Sequence, residues 1–197
     1  DVPNPEKSGL FLTLNTNKKG ITLDINSVDG NAILKELARN ADLIVENFPP
    51  GVRDSLGLSY EALQAVNPSL VVTSITPFGL SGPYRDFQTT DLVSFALTNR
   101  MALHGMFGRE PLNYAADVVW FQAGGTAAAV SIAAVFRSMA TGEGRAIEVS
   151  AMEAMIGNVD TRTVFQQYTG TTFVRGSASA GYPAAAYPCS DGYILFA

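Results

Sequence analysis

Three runs, "DLIVENF" (42–48), "SLVVTSIT" (69–76) and "RAIEVS" (145–150), are short, apolar and separated by helix-patterned stretches. A strand buried on both faces reads as such a run, and parallel strands need a long crossover between them. The alternation therefore predicts an α/β fold, Rossmann-like, with a mostly parallel sheet and helices on both faces. In "VDGNAILKELARNA" (28–41), Ile33, Leu34, Leu37 and Ala38 stand at helical spacing behind Asp29. "SYEALQAVNP" (59–68) reads as a short helix with Ser59 as its N-cap and Pro68 beyond its end. Residues 91–105 can be helical, with Gly105 suited to the end, and 151–170 reads as another helix. "TAAAVSIAAVFRSMATG" (126–142) is apolar almost all round, so the expectation is a buried helix. "GLFLTLN" (9–15) and "GITLDIN" (20–26) read as two extended pieces joined by a turn at 16–19.

After residue 170 the character changes. Residues 1–170 form a partial large domain, the Ser-, Ala-, Gly- and Pro-rich stretch 171–185 a linker, and 186–197 the start of a second, smaller domain. "YILFA" is read as the first strand of that domain. The chain begins without Met and stops inside this strand, so both ends are expected to lie within a longer protein.

Composition narrows the function classes. With 47% hydrophobic and 16% charged residues the chain can bury a sizeable core. A net charge of −5 and scattered Lys and Arg argue against a nucleic-acid partner. The apolar run Ala127–Val135 is too short to span a bilayer and is interrupted by Ser131, so no membrane is expected. One Cys and one His cannot build a typical structural zinc site, and no metal is expected. Lone Cys189 forms no intrachain disulfide, fits a cytoplasmic location, and is read as a small apolar filler.

The common phosphate loops, G-x-G-x-x-G and G-x-x-x-x-G-K-[ST], are absent. "ATGEGRAIEV" leads from a helix into a strand, the wrong direction for a cradle built on a helix N-terminus, and is read as a turn. His104, near a helix end, is read as a capping or packing residue. No Ser stands in a G-x-S-x-G elbow. "VENFPPGV" carries more weight, because a strand broken by Pro-Pro-Gly ends at the carboxyl edge of the sheet, where open α/β sheets bind ligands. Asn47 can hydrogen-bond a ligand there and Phe48 can stack on a base; the alternative is a turn Asn and a core Phe. In "NYAADVVWFQAGG" (113–125), Asp117 lies three residues before the single Trp, Trp120. Such an acid is a nucleophile, a helix cap or a loop residue.

Taken in order and spacing, "LNTNKKGITLDI", "DLIVENFPPGVRDSLGLSYEALQAVNPSLVVTSITPFGLSGPY", "TDLV" and "AAVFRSMATGEGRAIEVSAMEAM" closely resemble the class III CoA-transferase family. That family includes formyl-CoA and crotonobetaine–carnitine CoA-transferases and alpha-methylacyl-CoA racemase. The resemblance runs from about residue 11 to 197. It implies a Rossmann-like large domain, a small domain, and subunits interlocked like chain links, as a homodimer or a heteromer with a related subunit. It also implies that CoA or acyl-CoA lies over the carboxyl edge of the sheet, against Leu23, Asn47 and Phe48. A phosphate-binding Arg of some members falls at Ser55, leaving Arg53 as a nearby substitute, and a Lys of some members falls near Thr76.

Family chemistry rests on an Asp that attacks an acyl-CoA thioester, giving a mixed anhydride and then an aspartyl-CoA thioester. The CoA then passes to a second carboxylic acid. Backbone N–H groups beside the Asp hold the oxyanion. This Asp stands four residues before the Gly that corresponds to Gly124, so its place is taken by Trp120, and Asp117 is the displaced candidate. The resemblance therefore implies CoA transfer between acids, with a non-catalytic scaffolding half as the alternative. An acyl-CoA racemase or lyase fits less well, since the His required before "DLV" is Thr90.

Overall fold

The most apolar of the three runs becomes the middle strand. β2 (Val71–Thr76) is buried along nearly its whole length. It pairs in parallel with β1 (Leu43–Glu46) on one side and with β3 (Ala146–Ser150) on the other. Leu43 stands opposite Val71, and Val72 opposite Ala146. The structure is a computed structural model and describes residues 4, 8–106, 108–114, 117–157, 162–172, 175 and 185–196.

Helices cover both faces of the sheet. On one face, α2 (Val28–Ala38) and α4 (Tyr60–Val66) bring Ala38 and Leu63 together with Leu58, Leu70 and Val72. On the other, α5 (Asp91–Leu97), α6 (Val118–Thr141) and α7 (Ala151–Gly157) enclose Phe95, Val119, Ala123 and Met155, with Ile75 packed against them. The two-residue period of β2 sorts these contacts. Val72 meets the first cluster, while Thr73 turns to α6 and shares a hydrogen bond of 2.7 Å with Ser131.

Short polar side chains set the helix starts. Ser27 Oγ accepts from the Gly30 N–H at 3.0 Å, and Ser59 Oγ accepts from the Ala62 N–H at 3.3 Å. The "ATGEGR" turn seats closely on the start of β2: the Gly144 N–H donates to the Pro68 carbonyl at 2.8 Å. A Cβ at Gly144 would lie 1.9 Å from the Leu70 carbonyl oxygen, so no other residue fits without moving backbone.

Several expectations are corrected. Residues 9–15 are not extended; Gly9–Leu14 is a helix, α1, and 18–24 has no regular structure. A lone strand leaves its backbone groups unpaired, whereas a helix closes them locally, and here Ser8 Oγ also caps the Phe11 N–H at 3.2 Å. The helix expected over 126–142 begins earlier, at Val118, and is not buried all round. Val119, Ala123, Ala127, Ser131 and Ser138 form its buried stripe, while Phe136 and Met139 are 77% and 75% exposed. At 24 residues it is long and apolar enough to cross a bilayer by length and composition, unlike the run weighed from the sequence; here it packs on β2 and β3.

The helix over 91–105 stops at Leu97, because Asn99 turns left-handed (φ 62°) and a 3-10 turn follows at Met101–Leu103. The one expected over 151–170 gives α7 and a separate α8 (Arg162–Thr169); residues 158–161 lie outside the described ones. "YILFA" is preceded by another strand: β4 (Ala185–Cys189) pairs antiparallel with β5 (Gly192–Phe196). β4 accepts Pro188 because this sheet is a two-stranded hairpin, all edge. Cys189 is exposed at the hairpin turn, its thiol directed to Asp191 Oδ1 at 3.5 Å, and is not a core filler. Most of the linker assigned to 171–185 lies outside the described residues.

Candidate active site

β1 ends at Glu46, and the chain turns through Asn47-Phe48-Pro49-Pro50-Gly51 into α3 (Val52–Ser55). Two successive prolines have no N–H to give a strand ladder, and Gly51 supplies the left-handed residue (φ 83°) that starts α3. The turn is organised from below by Glu46, whose side chain is 8% exposed. Its Oε2 accepts from the Phe48 N–H at 2.7 Å. Its Oε1 accepts from the Ser74 hydroxyl and lies 3.5 Å from Arg53 Nη1. Arg53 Nη1 donates to Ser74 Oγ at 3.0 Å, and its Nε lies 3.5 Å from Asp54. The guanidinium of Arg53 is thus engaged within the fold, and one buried carboxylate fixes the direction in which Asn47 and Phe48 leave the sheet.

The loop after β2, residues 77–90, is held at its start. The Gly79 N–H donates to Thr76 Oγ1 at 2.9 Å and the Leu80 N–H to Glu148 Oε1 at 2.6 Å. Phe78, Tyr84 and Phe87 then pack as a trio, with centroids 5.3–6.4 Å apart. Between this loop, the turn after β1 and α6 lies a cavity of about 390 Å³, lined among others by Asn47, Phe48, Pro50, Arg85 and Trp120. A smaller one of about 160 Å³ includes Phe48, Pro49, Pro50, Arg53 and Arg85. Another, of about 690 Å³, is lined by Leu10, Leu14, Asp117, Trp120 and Phe121. Trp120 is common to the first and the last.

Asn47, Phe48 and Trp120 are therefore brought together, at the carboxyl edge where open α/β sheets bind ligands. Asp117 lines the apolar cavity on the other side of Trp120. Leu23 is half-buried on the irregular stretch after α1 and lines none of the three cavities. A separate hollow of about 510 Å³ beside β3 carries Glu148 and Glu153, a lining that suits an anion poorly.

Asp117 occupies the N-cap position of α6 with left-handed backbone (φ 33°), and its side chain caps nothing. Asp91, the first residue of α5, does this instead: its Oδ1 accepts from the Val119 N–H at 3.0 Å. His104 is a packing residue, as read from the sequence. Its Nδ1 lies 2.7 Å from the Arg100 carbonyl, its Nε2 meets the Tyr114 hydroxyl, and its ring packs on Phe95. Sequence reasoning missed Glu46, Arg85 and Asp91. The signal for Glu46 was a single acid closing an apolar strand; for Asp91, an acid in the first turn of a helix.

The fold is an α/β domain whose parallel sheet carries, at its carboxyl edge, the cavity of Asn47, Phe48 and Trp120. The chain belongs to CoA-transferase family III, which matches residues 2–197. It is 34% identical over 98% of its length to the succinyl-CoA:(R)-benzylsuccinate CoA-transferase subunit BbsE of Thauera aromatica, covering 47% of that protein. It is 35% identical over 77% of its length to a formyl-CoA:oxalate CoA-transferase of Streptomyces avermitilis, covering 37% of that protein. Among solved structures, a CAIB/BAIF family protein from Brucella suis superposes with a TM-score of 0.83 at 30% identity, covering 91% of this chain and 48% of that one. The chain spans about half the length, or less, of these relatives.

Proposed function

We propose that this chain is the CoA-binding large domain of a CoA-transferase, and that the whole protein moves CoA from an acyl-CoA to a free carboxylic acid. The observation that carries the reading is the shared cavity of Asn47, Phe48 and Trp120 at the carboxyl edge. Asn47 offers an amide to the pantetheine arm, Phe48 and Pro50 offer apolar walls, and the first turn of α6, which carries Trp120, lies beside the same cavity. Its expected setting is the cytoplasm, in an interlocked homodimer or in a heteromer with a related subunit.

A second reading concerns the nucleophile. In an aspartyl-CoA mechanism the carboxylate must reach the thioester carbon, yet the residue on the Asn47–Phe48 cavity is Trp120, whose indole is a donor and no nucleophile. Asp117 is set apart, beside the neighbouring apolar cavity. This favours a non-catalytic half whose partner supplies the acid, and the subunit designation of the Thauera relative is in keeping with it. Hydroxylamine trapping on the whole protein with acyl-CoA separates the two. Labelling of Asp117, with transfer abolished in Asp117→Asn, makes this chain the catalyst. CoA binding without label, with transfer only when a related subunit is added, makes it the scaffold. Absence of CoA binding removes both readings.

A further inference from the structure

Resting on the CoA-binding reading above, we propose that Arg85 holds the phosphate oxygens of CoA, in the role that Arg53 was expected to take. Arg53 is satisfied from within: Glu46, Ser74 and Asp54 all lie within 3.5 Å of its guanidinium. Arg85 is not. Its Nε is shielded from solvent and makes no hydrogen bond among the described residues. Its ion pair, with Asp86 at 3.6 Å, is beyond hydrogen-bond distance, and that carboxylate is 81% exposed. The side chain as a whole is 41% exposed, which leaves the Nη groups open to a ligand while Nε is closed to water.

Its position suits that ligand. Arg85 lines both the cavity that holds Asn47 and Trp120 and the smaller one beside Pro49, Pro50 and Arg53. It thus stands between the two cavities. Its Nη2 lies over the turn after β1, within 3.3 Å of where a Cβ on Gly51 would be. The loop that carries it is stiffened by the Phe78–Tyr84–Phe87 trio on either side of Arg85 in sequence, so little ordering is left for the moment of binding. A planar, permanently charged fork with open donors is matched to phosphate, which accepts two parallel N–H bonds.

The test is calorimetric titration of the whole protein with CoA, dephospho-CoA and pantetheine. Arg85→Gln is expected to raise the Kd for CoA about tenfold or more. Pantetheine, which has no phosphate, should bind it as it binds the wild type, and Arg85→Lys should recover part of the loss. Arg39→Gln, on the far-side surface pair with Glu36, serves as the control that changes nothing. An equal defect on CoA and dephospho-CoA assigns the pyrophosphate, and a defect on CoA alone the 3′-phosphate. Unchanged CoA affinity in Arg85→Gln, or an equal loss for pantetheine, overturns the assignment. A wild-type protein that binds neither CoA nor pantetheine overturns the functional reading beneath it instead.

Discussion

Asp91, in the first turn of α5, caps α6 from a distance of 28 residues in sequence: its Oδ1 accepts from the Val119 N–H at 3.0 Å. The acid that stands at the N-cap position itself, Asp117, makes no such bond and carries φ 33°. A carboxylate at a helix N-terminus satisfies an orphan donor and faces the positive end of the dipole. Asp91→Ala should therefore lower stability by about 1 kcal/mol. Asp117→Gly, which relieves a left-handed residue and removes no cap, should leave stability unchanged or raise it by about 0.5 kcal/mol. Urea denaturation of the two variants beside the wild type checks both signs.

Glu46 is the centre of the polar network under the Asn47–Phe48 turn. Glu46→Ala leaves Arg53 without its buried carboxylate and the Phe48 N–H without an acceptor, and should cost about 3 kcal/mol. Glu46→Gln keeps an amide oxygen for the Phe48 N–H and should cost less. Combining Glu46→Gln with Arg53→Met should cost clearly less than the sum of the single changes, because the two side chains share one network. Additive losses in that double-mutant cycle would show that the pair is not coupled.

The sheet was legible because each of its strands is an apolar run closed by a breaker or a loop, as "LIVE" is by Asn-Phe-Pro-Pro. Asn47 and Phe48 were legible for the same reason, since the proline pair places them at a strand's carboxyl end. Residues 9–15 were not: "GLFLTLN" has no clear period, and strand or helix is decided by whether a partner strand lies alongside, which local sequence does not contain. The exposed side of α6 was illegible too. Apolar residues all round a helix do not say which side meets the sheet, and Phe136 and Val119 look alike until β2 is in place. Arg85 was hidden because a charged residue between Tyr and Asp in a polar loop reads as a solvated one; that its Nε is shielded and makes no hydrogen bond among the described residues is a property of packing alone.

The start of α4 carries a pH signature. The Glu61 carboxylate is stabilised by its own backbone N–H and by the Ser59 hydroxyl, which hold its pKa below the usual range. A depressed folded pKa adds stability above the ordinary carboxylate value and loses it as pH falls through the folded one. The gap in denaturation midpoint between wild type and Glu61→Gln should be present at neutral pH and close in acid. Its neighbour Tyr60 behaves oppositely: burial raises its hydroxyl pKa, so its contribution holds below about pH 10 and fades above it. Tyr60→Phe should flatten that alkaline limb. A gap for Glu61→Gln that stays constant into strong acid would count against the capping account.

Gly144 tests the seating of the β3 turn on β2. A methyl group there meets the Leu70 carbonyl at 1.9 Å, a backbone atom that cannot rotate away. Gly144→Ala should destabilise by about 2 kcal/mol or more, with loss of soluble protein at growth temperature. Arg145→Ala, one residue on and exposed, should be close to neutral. Equal thermal midpoints for Gly144→Ala and the wild type would show that the turn is not seated against the Leu70 carbonyl.

Trp120 is the position at which function and stability can be separated. Its side chain is 36% exposed, so removing the indole forfeits about 1–2 kcal/mol of apolar burial and joins the cavities on its two sides. In Trp120→Asp part of that loss should be offset, by about 0.5 kcal/mol, because a carboxylate in the first turn of α6 faces the positive end of the helix. Trp120→Ala lacks the offset and should be the less stable of the two. Both should still bind CoA, since Asn47, Phe48 and Arg85 are untouched. With acyl-CoA and hydroxylamine, Trp120→Asp should become labelled at position 120 while Trp120→Ala stays unlabelled. Label at Asp117 in all three proteins would instead return the nucleophile to that residue. A folded Trp120→Asp that binds CoA and takes no label would show that the cavity does not present the thioester to α6.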